Sequence, residues 1–320
     1  MSVLLPAGLP AGFTLEPATG AHAPEVFDLV AAERIDAFGF CPDSLEDVRA
    51  DLEPTASEAV QFVVRDADGS AAQWWVAVTD PGDPVVHAWI SSHPRLPADV
   101  HDELSAAGWV VLLGWVREQA PDGAGTVEVR SGCEEGSDAG HRRLRDAGFT
   151  HRRTFWEMLG PVTEESCTAP PVPGLTITAT DDPRAVHAIL EKGFEDHWGY
   201  VSVTYDDWMP VQTTLAGYDP SLWFLAEIDS TPAAAMTLSR RVEADGAMYV
   251  QELATLQEYR RRGLASALLA RAFDQAAREG LGQLSLHVDS ENTHDAPSVY
   301  GKAGLEVRCA FHAHVLGLQR

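Results

Sequence analysis

Toward the C-terminal end, the apolar positions follow three different patterns in turn within about forty residues. Residues 249–256 form an apolar, strand-like run. Leu264, Leu268, Leu269, Ala272, Phe273 and Ala276 then recur every three or four positions, which predicts an amphipathic helix over 263–279 that stops at Gly280. Leu284, Leu286 and Val288 alternate with polar neighbours and predict the next strand. Strand, helix and strand in this order make a crossover unit joining parallel strands. Upstream, the pattern predicts a helix over 182–194 and strands over 223–228 and 233–240. A turn around Ala244, Asp245 and Gly246 would close a hairpin onto 249–256. Within that last run the apolar phase slips between Val250 and Leu253, which lie an odd number of residues apart, and this predicts a β-bulge near Glu252.

The pattern also appears twice. Ala147-Gly148-Phe149, with Arg152 and Phe155, returns 156 residues later as Ala303-Gly304-Leu305 with Arg308 and Phe311, and Leu112-Leu113 returns as Leu268-Leu269. Between the copies, Pro161, Pro170, Pro171 and Pro173 mark a linker. The expected organisation is therefore a domain over 1–160, a proline-rich linker over 161–174 and a second domain over 175–320. Both would be α+β folds built on a mixed, mostly antiparallel sheet flanked by helices.

Composition narrows the class. The 320 residues, 45% hydrophobic and including nine tryptophans, suffice for two packed cores. Forty-eight acidic against 23 basic side chains give a formal net charge of -25, which repels a phosphate backbone and argues against nucleic acid as a partner. The same field favours a cationic or amine ligand. Cys41, Cys133, Cys167 and Cys309 stand singly, as reduced thiols of a cytoplasmic protein would. The first residues lack the basic and apolar regions of a secretion leader, and the apolar run 106–116 is too short to span a bilayer, so no membrane association is expected. His287, His312 and His314 fall on strand-like segments with no cysteine or carboxylate at ligand spacing along the chain, and no metal is expected.

Against that acidic background, three consecutive arginines are informative. Arg260-Arg261-Arg262-Gly263-Leu264-Ala265-Ser266 joins the strand to the helix, with a glycine and a small residue where a backbone would approach an anion. The first N–H groups of the helix lack intrahelical partners and would point at that anion. A solvated helix start is the plainer alternative. Together with Leu253-Ala254-Thr255-Leu256 before it, and with Asn292, Tyr300 and Ala303-Gly304-Leu305 after it, this stretch resembles the cofactor-binding motif of the GNAT superfamily of acyl-CoA N-acyltransferases. The resemblance covers roughly residues 175–320. With an ungapped offset, the arginine loop falls on Leu104 to Trp109 of the first copy, which holds no arginine. The first copy is accordingly read as a degenerate, non-catalytic GNAT-like domain.

The resemblance implies acetyl-CoA as cosubstrate. It assigns the acetyl-pantetheine portion to backbone groups of Leu253, Ala254 and Thr255, and the pyrophosphate to Arg260, Arg261, Arg262, Gly263, Leu264, Ala265 and Ser266. Asn292 orders the cofactor loop, with simple helix capping as the alternative. Tyr300 is the implied acid for the departing thiolate, the alternative being a core tyrosine on a helix. Glu252, a carboxylate in an apolar strand, is the candidate general base, and a salt bridge to an arginine is the competing explanation. The segment 194–200 falls where the family covers its acceptor, which makes His197 and Trp198 candidate substrate contacts. The implied activity is acetyl transfer to the primary amine of a small molecule or peptide. The layout of two such domains, one worn, is distantly similar to that of mycothiol synthase. The alternative from another class is a non-catalytic acyl-CoA-binding or sensor protein.

Overall fold

The structure, a computed structural model, describes residues 8–54, 57–80, 83–119, 125–215, 217–241, 246–292 and 294–319. It divides into two compact units, Met1–Arg153 with Phe311–Arg320, and Thr154–Ala310. In chain order the first half contributes β1 (Thr14–Pro17), α1 (Ala23–Phe38), α2 (Leu45–Leu52), β2 (Glu58–Arg65), β3 (Ala71–Thr79), β4 (Val86–Ser92), α3 (Ala98–Gln119), β5 (Thr126–Glu134), α4 (Asp138–Asp146) and β6 (Thr150–Pro161). The second contributes β7 (Leu175–Ala179), α5 (Pro183–Phe194), α6 (Tyr205–Gln212), β8 (Trp223–Ile228), β9 (Thr231–Arg241), β10 (Ala247–Thr255), α7 (Leu264–Arg278), β11 (Gln283–Asp289), α8 (Ala296–Lys302) and β12 (Glu306–Gln319).

In the first unit, β1 to β5 lie in chain order, followed by the end of β12, whose residues pair antiparallel with β5 from Phe311↔Glu134 to Gln319↔Thr126. Among the described residues only β4 and β5 run parallel. Both faces of β3 are buried, because alternate side chains enter different cores. Trp74 and Val76 pack with Val26, Leu29 and Val30 of α1, whereas Trp75 and Ala77 pack with Leu112 and Val116 of α3.

The second unit orders its strands β6-β11-β10-β9-β8-β7. Here β10 and β11 form the parallel pair. On one face Leu264, Leu268, Leu269, Ala272 and Phe273 of α7 meet Met236, Leu238, Met248 and Leu286. On the other, Val186, Ile189 and Leu190 of α5 meet Trp223, Leu225, Ala235 and Ala254. Asp182 caps α5 by accepting from the N–H groups of Arg184 and Ala185, and Pro183 occupies the first turn, where no N–H is needed. The strands and helices expected between 182 and 289 all form, with ends shifted by two residues at most. Residues Ala244 and Asp245 of the expected hairpin turn, and the first seven residues, lie outside the described residues.

Two expectations need correction. The units are not the contiguous stretches 1–160 and 175–320. The part of β6 from Phe155 onward pairs with β11 of the second unit, and the end of β12 completes the first unit's sheet. Each unit therefore takes its last strand from beyond the expected boundary. In addition, Leu104 to Trp109 is not a loop. It lies inside α3, which starts ten residues before the position the offset assigns, and Trp109 packs on Phe149 with ring centroids 4.8 Å apart. The segment that actually precedes α3 is His93-Pro94-Arg95-Leu96-Pro97, which contains no glycine.

Candidate active site

The second unit's sheet opens where its two parallel strands stop pairing. β10 and β11 pair from Ala247↔Gln283 to Val250↔Leu286 and no further among the described residues. At that point the β9–β10 register shifts between Val250 and Glu252, a bulge that inserts Gln251 and turns β10 away. Beyond it β10 continues along β9 to Thr255, while β11 continues along β6 to Asp289. The gap between them is a cavity of about 980 Å³. Leu253, Ala254 and Thr255 line it. The N–H of Leu256 donates to Ala233 at 2.9 Å, so the alternation of an antiparallel ladder turns the N–H of Ala254 toward β9. It leaves the N–H groups of Leu253 and Thr255 facing the gap. The buried Thr255 hydroxyl has no hydrogen-bond partner among the described residues.

The loop before α7 closes one end of the cavity. Arg261 (φ 60°) and Gly263 (φ 91°) both adopt left-handed backbone, and a Cβ at Gly263 would come within 3.2 Å of Val172. Gly263 sits at the helix N-cap, and the next backbone bond belongs to Ala267, whose N–H reaches the Gly263 carbonyl at 3.0 Å. The N–H groups of Leu264, Ala265 and Ser266 find no backbone acceptor among the described residues, and all three residues line the cavity. An anion there would meet converging donors at the positive end of a 15-residue helix.

The three arginines, grouped by the sequence, part company in the structure. Arg260 points back into the fold, donating to the carbonyls of Thr255 (3.1 Å) and Gly193 (2.9 Å) and to Asp196 (3.0 Å). It fastens the end of β10 to the end of α5, a role that no linear spacing reveals. Arg261 is exposed at the cavity wall. Arg262 does not line the cavity, and its guanidinium lies 5.3 Å from the Tyr259 ring.

Glu252 lines the same space. It accepts a hydrogen bond from the Thr237 hydroxyl at 3.3 Å and another from Trp208 of α6, and burial pushes its carboxyl up to about 7. Neither lysine nor arginine pairs with it among the described residues, so the salt-bridge explanation has no partner. Thr237 stands opposite Glu252 in the ladder, a neighbour that strand pairing alone would have supplied, whereas Trp208 arrives from a separate helix. Tyr300 lines the cavity from α8. Its hydroxyl has no hydrogen-bond partner among the described residues, and burial pushes it up to about 12. The Asn292 side chain accepts from the N–H groups of His294 (2.9 Å) and Ala296 (3.5 Å), ordering the approach to α8 at the cavity edge.

His197 also lines the wall, its ring 4.8 Å from Phe194, and burial lowers its pKa, with His294 and Arg260 acting in the same sense. Trp198 does not reach the cavity. Its ring lies 6.4 Å from that of Phe155.

The first unit holds a smaller space, about 300 Å³, beside its own parallel pair, whose register among the described residues is Val86↔Val129 and His87↔Arg130. Trp74, Trp89, Trp109 and Phe311 crowd it. In the loop ahead of α3, Arg95 is bound to Asp66 (3.0 Å) and to the Ala71 carbonyl (2.7 Å).

Residues 184–305 match the model of the acetyltransferase (GNAT) family. Among solved structures, the fold is similar over 98% of both chains to a GCN5-related N-acetyltransferase from Sphaerobacter thermophilus, at 25% identity and a TM-score of 0.77. It is also similar to a tandem GNAT protein from the clavulanic acid biosynthesis pathway, at 13% identity and a TM-score of 0.71 over 96% of this chain and 99% of that one. A glucosamine N-acetyltransferase region of a fungal multi-domain β-N-acetylglucosaminidase shares the fold at 12% identity and a TM-score of 0.67, over 96% of this chain and 38% of that one. No curated protein sequence matches the chain. Among the described residues no helix is long and apolar enough to cross a membrane.

Proposed function

We propose that the GNAT acetyltransferase domain carried by the second unit transfers an acetyl group from acetyl-CoA to the primary amine of a small molecule or peptide. The observation that carries this reading is one continuous cavity. It joins the unpaired N–H groups at the start of α7, the strand gap after the bulge, Glu252 and Tyr300. These features suit the donor. Left-handed backbone at Gly263 starts the helix whose first N–H groups suit a pyrophosphate, and the Thr255 hydroxyl and inward N–H groups of β10 offer hydrogen bonds to pantetheine.

Within this reading Glu252 removes the proton from the incoming ammonium. Its raised pKa keeps the carboxylate a usable base near neutrality. The Leu253 N–H donates to the thioester oxygen, an interaction that strengthens as negative charge develops there. Tyr300 acts on the leaving sulfur. Its pKa of about 12 exceeds a thiol's reference of about 8.5 by roughly 3.5 units, or about 5 kcal/mol. Complete proton transfer from Tyr300 is therefore uphill, so Tyr300 serves chiefly as a hydrogen-bond donor to the developing thiolate, which takes up the second proton that the nitrogen sheds as the amide forms. Arg260 holds the site's frame, while the α7 N–H groups and Arg261 meet the phosphates. The first unit is a copy of the fold that has lost its phosphate loop.

The test is thiol release from acetyl-CoA across a library of amines. Turnover with at least one amine class supports the reading. Tight binding of coenzyme A without turnover by any amine would establish the sensor alternative instead.

A further inference from the structure

The first unit gathers histidines that are far apart in sequence. His312 and His314 project from the same face of β12, because they are two residues apart on a strand. Cys133 stands directly opposite His312 in the β5–β12 ladder, and His141 of α4 packs over the pair. Ring centroids of His141 lie 4.8 Å from His312 and 5.2 Å from His314. The sequence expectation of no ligand set rested on spacing along the chain. The ladder supplies the missing cysteine.

Three lone-pair atoms converge. Cys133 Sγ is 3.5 Å from His141 Nδ1, which is 3.4 Å from His314 Nε2, and all three atoms lie within 4.8 Å of one another. A tetrahedral zinc ion, with bonds of about 2.0–2.1 Å to nitrogen and about 2.3 Å to sulfur, spaces two nitrogens about 3.3–3.4 Å apart and a sulfur and nitrogen about 3.5–3.6 Å apart. Two of the three edges already match. His314 is also oriented for the task. Its Nδ1 lies 3.0 Å from the His312 carbonyl, so Nδ1 carries the proton and Nε2 offers its lone pair, the arrangement that supports metal-bound imidazoles. The His312 ring packs beside this group, with its Nε2 3.9 Å from a carboxylate oxygen of Glu135.

We propose that Cys133 Sγ, His141 Nδ1 and His314 Nε2 form a binding site for a zinc-type transition-metal dication, with a water completing the tetrahedron. A thiolate and imidazoles select zinc and its neighbours over magnesium or calcium. The ion would clip β5, α4 and the chain's last strand together. It is a structural site in the first unit, and it does not depend on the acetyltransferase reading.

The experiment is a cobalt titration of the full chain, purified without a histidine tag, with metal content measured after dialysis against zinc. Expected are one equivalent of metal per chain, a thiolate-to-cobalt charge-transfer band and the visible bands of a tetrahedral centre. Cys133→Ser removes the charge-transfer band. His141→Ala and His314→Ala each weaken binding by more than about 100-fold, beyond the usual effect of losing only a supporting partner. His187→Ala, which touches none of these atoms, keeps one equivalent. Circular dichroism confirms that each variant is folded, and if Cys133→Ser does not fold, the two histidine variants decide. Substoichiometric metal in the wild type, a cobalt spectrum without the sulfur band, or a spectrum unchanged by these substitutions overturns the proposal.

Discussion

Replacing Glu252 with glutamine should make the protein more stable and much less active, and the stability gain should depend on pH in a defined direction. The carboxyl pKa rises from 4.5 to about 7 on folding, because burial disfavours the anion more than Thr237 and Trp208 restore it. A carboxyl with a raised folded pKa leaves stability intact below the unfolded value and removes it as pH climbs through the folded one. The shift of roughly 2.5 units corresponds to about 3 kcal/mol at about 1.4 kcal/mol per unit. At pH 4 both states hold the proton, and Glu252→Gln should differ little from wild type. Between pH 4.5 and 7 the variant should gain progressively, reaching an advantage of up to about 3 kcal/mol above pH 8. The assay is urea denaturation of wild type and variant at matched pH values, followed by circular dichroism. Other titrating groups, including Asp51 at about 7, cancel in the difference. Activity should fall by about 10²- to 10⁴-fold, the usual contribution of a general base. A variant that is destabilised at pH 8, or whose stability difference does not change with pH, would refute the reasoning.

The wild-type rate, measured as kcat/KM, should rise with pH through an apparent pKa near that of Glu252, and this limb should disappear in Glu252→Gln. Tyr300→Phe should lower kcat by about tenfold to a hundredfold with little change in the KM for acetyl-CoA, since only a hydrogen bond to a charged sulfur is lost. Gly263→Ala should cost about 1 kcal/mol through its left-handed backbone, seen as a lower melting temperature, and should weaken coenzyme A binding in calorimetry. Arg260→Ala should lower the melting temperature through loss of its bonds to Thr255, Gly193 and Asp196, whereas Arg262→Ala should leave it unchanged.

The elements of the second unit were legible in the sequence because each follows a local period. α7 shows its buried face in six apolar positions, and the odd spacing from Val250 to Leu253 revealed the bulge that opens the cavity. Glu252 stood out as a carboxylate in an apolar strand and Tyr300 through the family resemblance, and both line the same cavity. What stayed hidden depends on long-range pairing. Nothing near Phe311 announces that it pairs with Glu134, so the crossing of terminal strands between units and the meeting of Cys133 with His312 and His314 were missed. Arg260 lines the cavity, but a run of like charges hides its second task, since the carbonyls of Thr255 and Gly193 bind its guanidinium. The α3 start was missed because an ungapped offset cannot register a helix longer at one end.

A crystal structure of the protein with coenzyme A tests the central claim most directly. The account predicts the diphosphate on the N–H groups of Leu264, Ala265 and Ser266, with pantetheine running between β10 and β11 past Thr255 toward Tyr300. Coenzyme A bound only in the first unit's cavity, or outside the gap between those two strands, would contradict it.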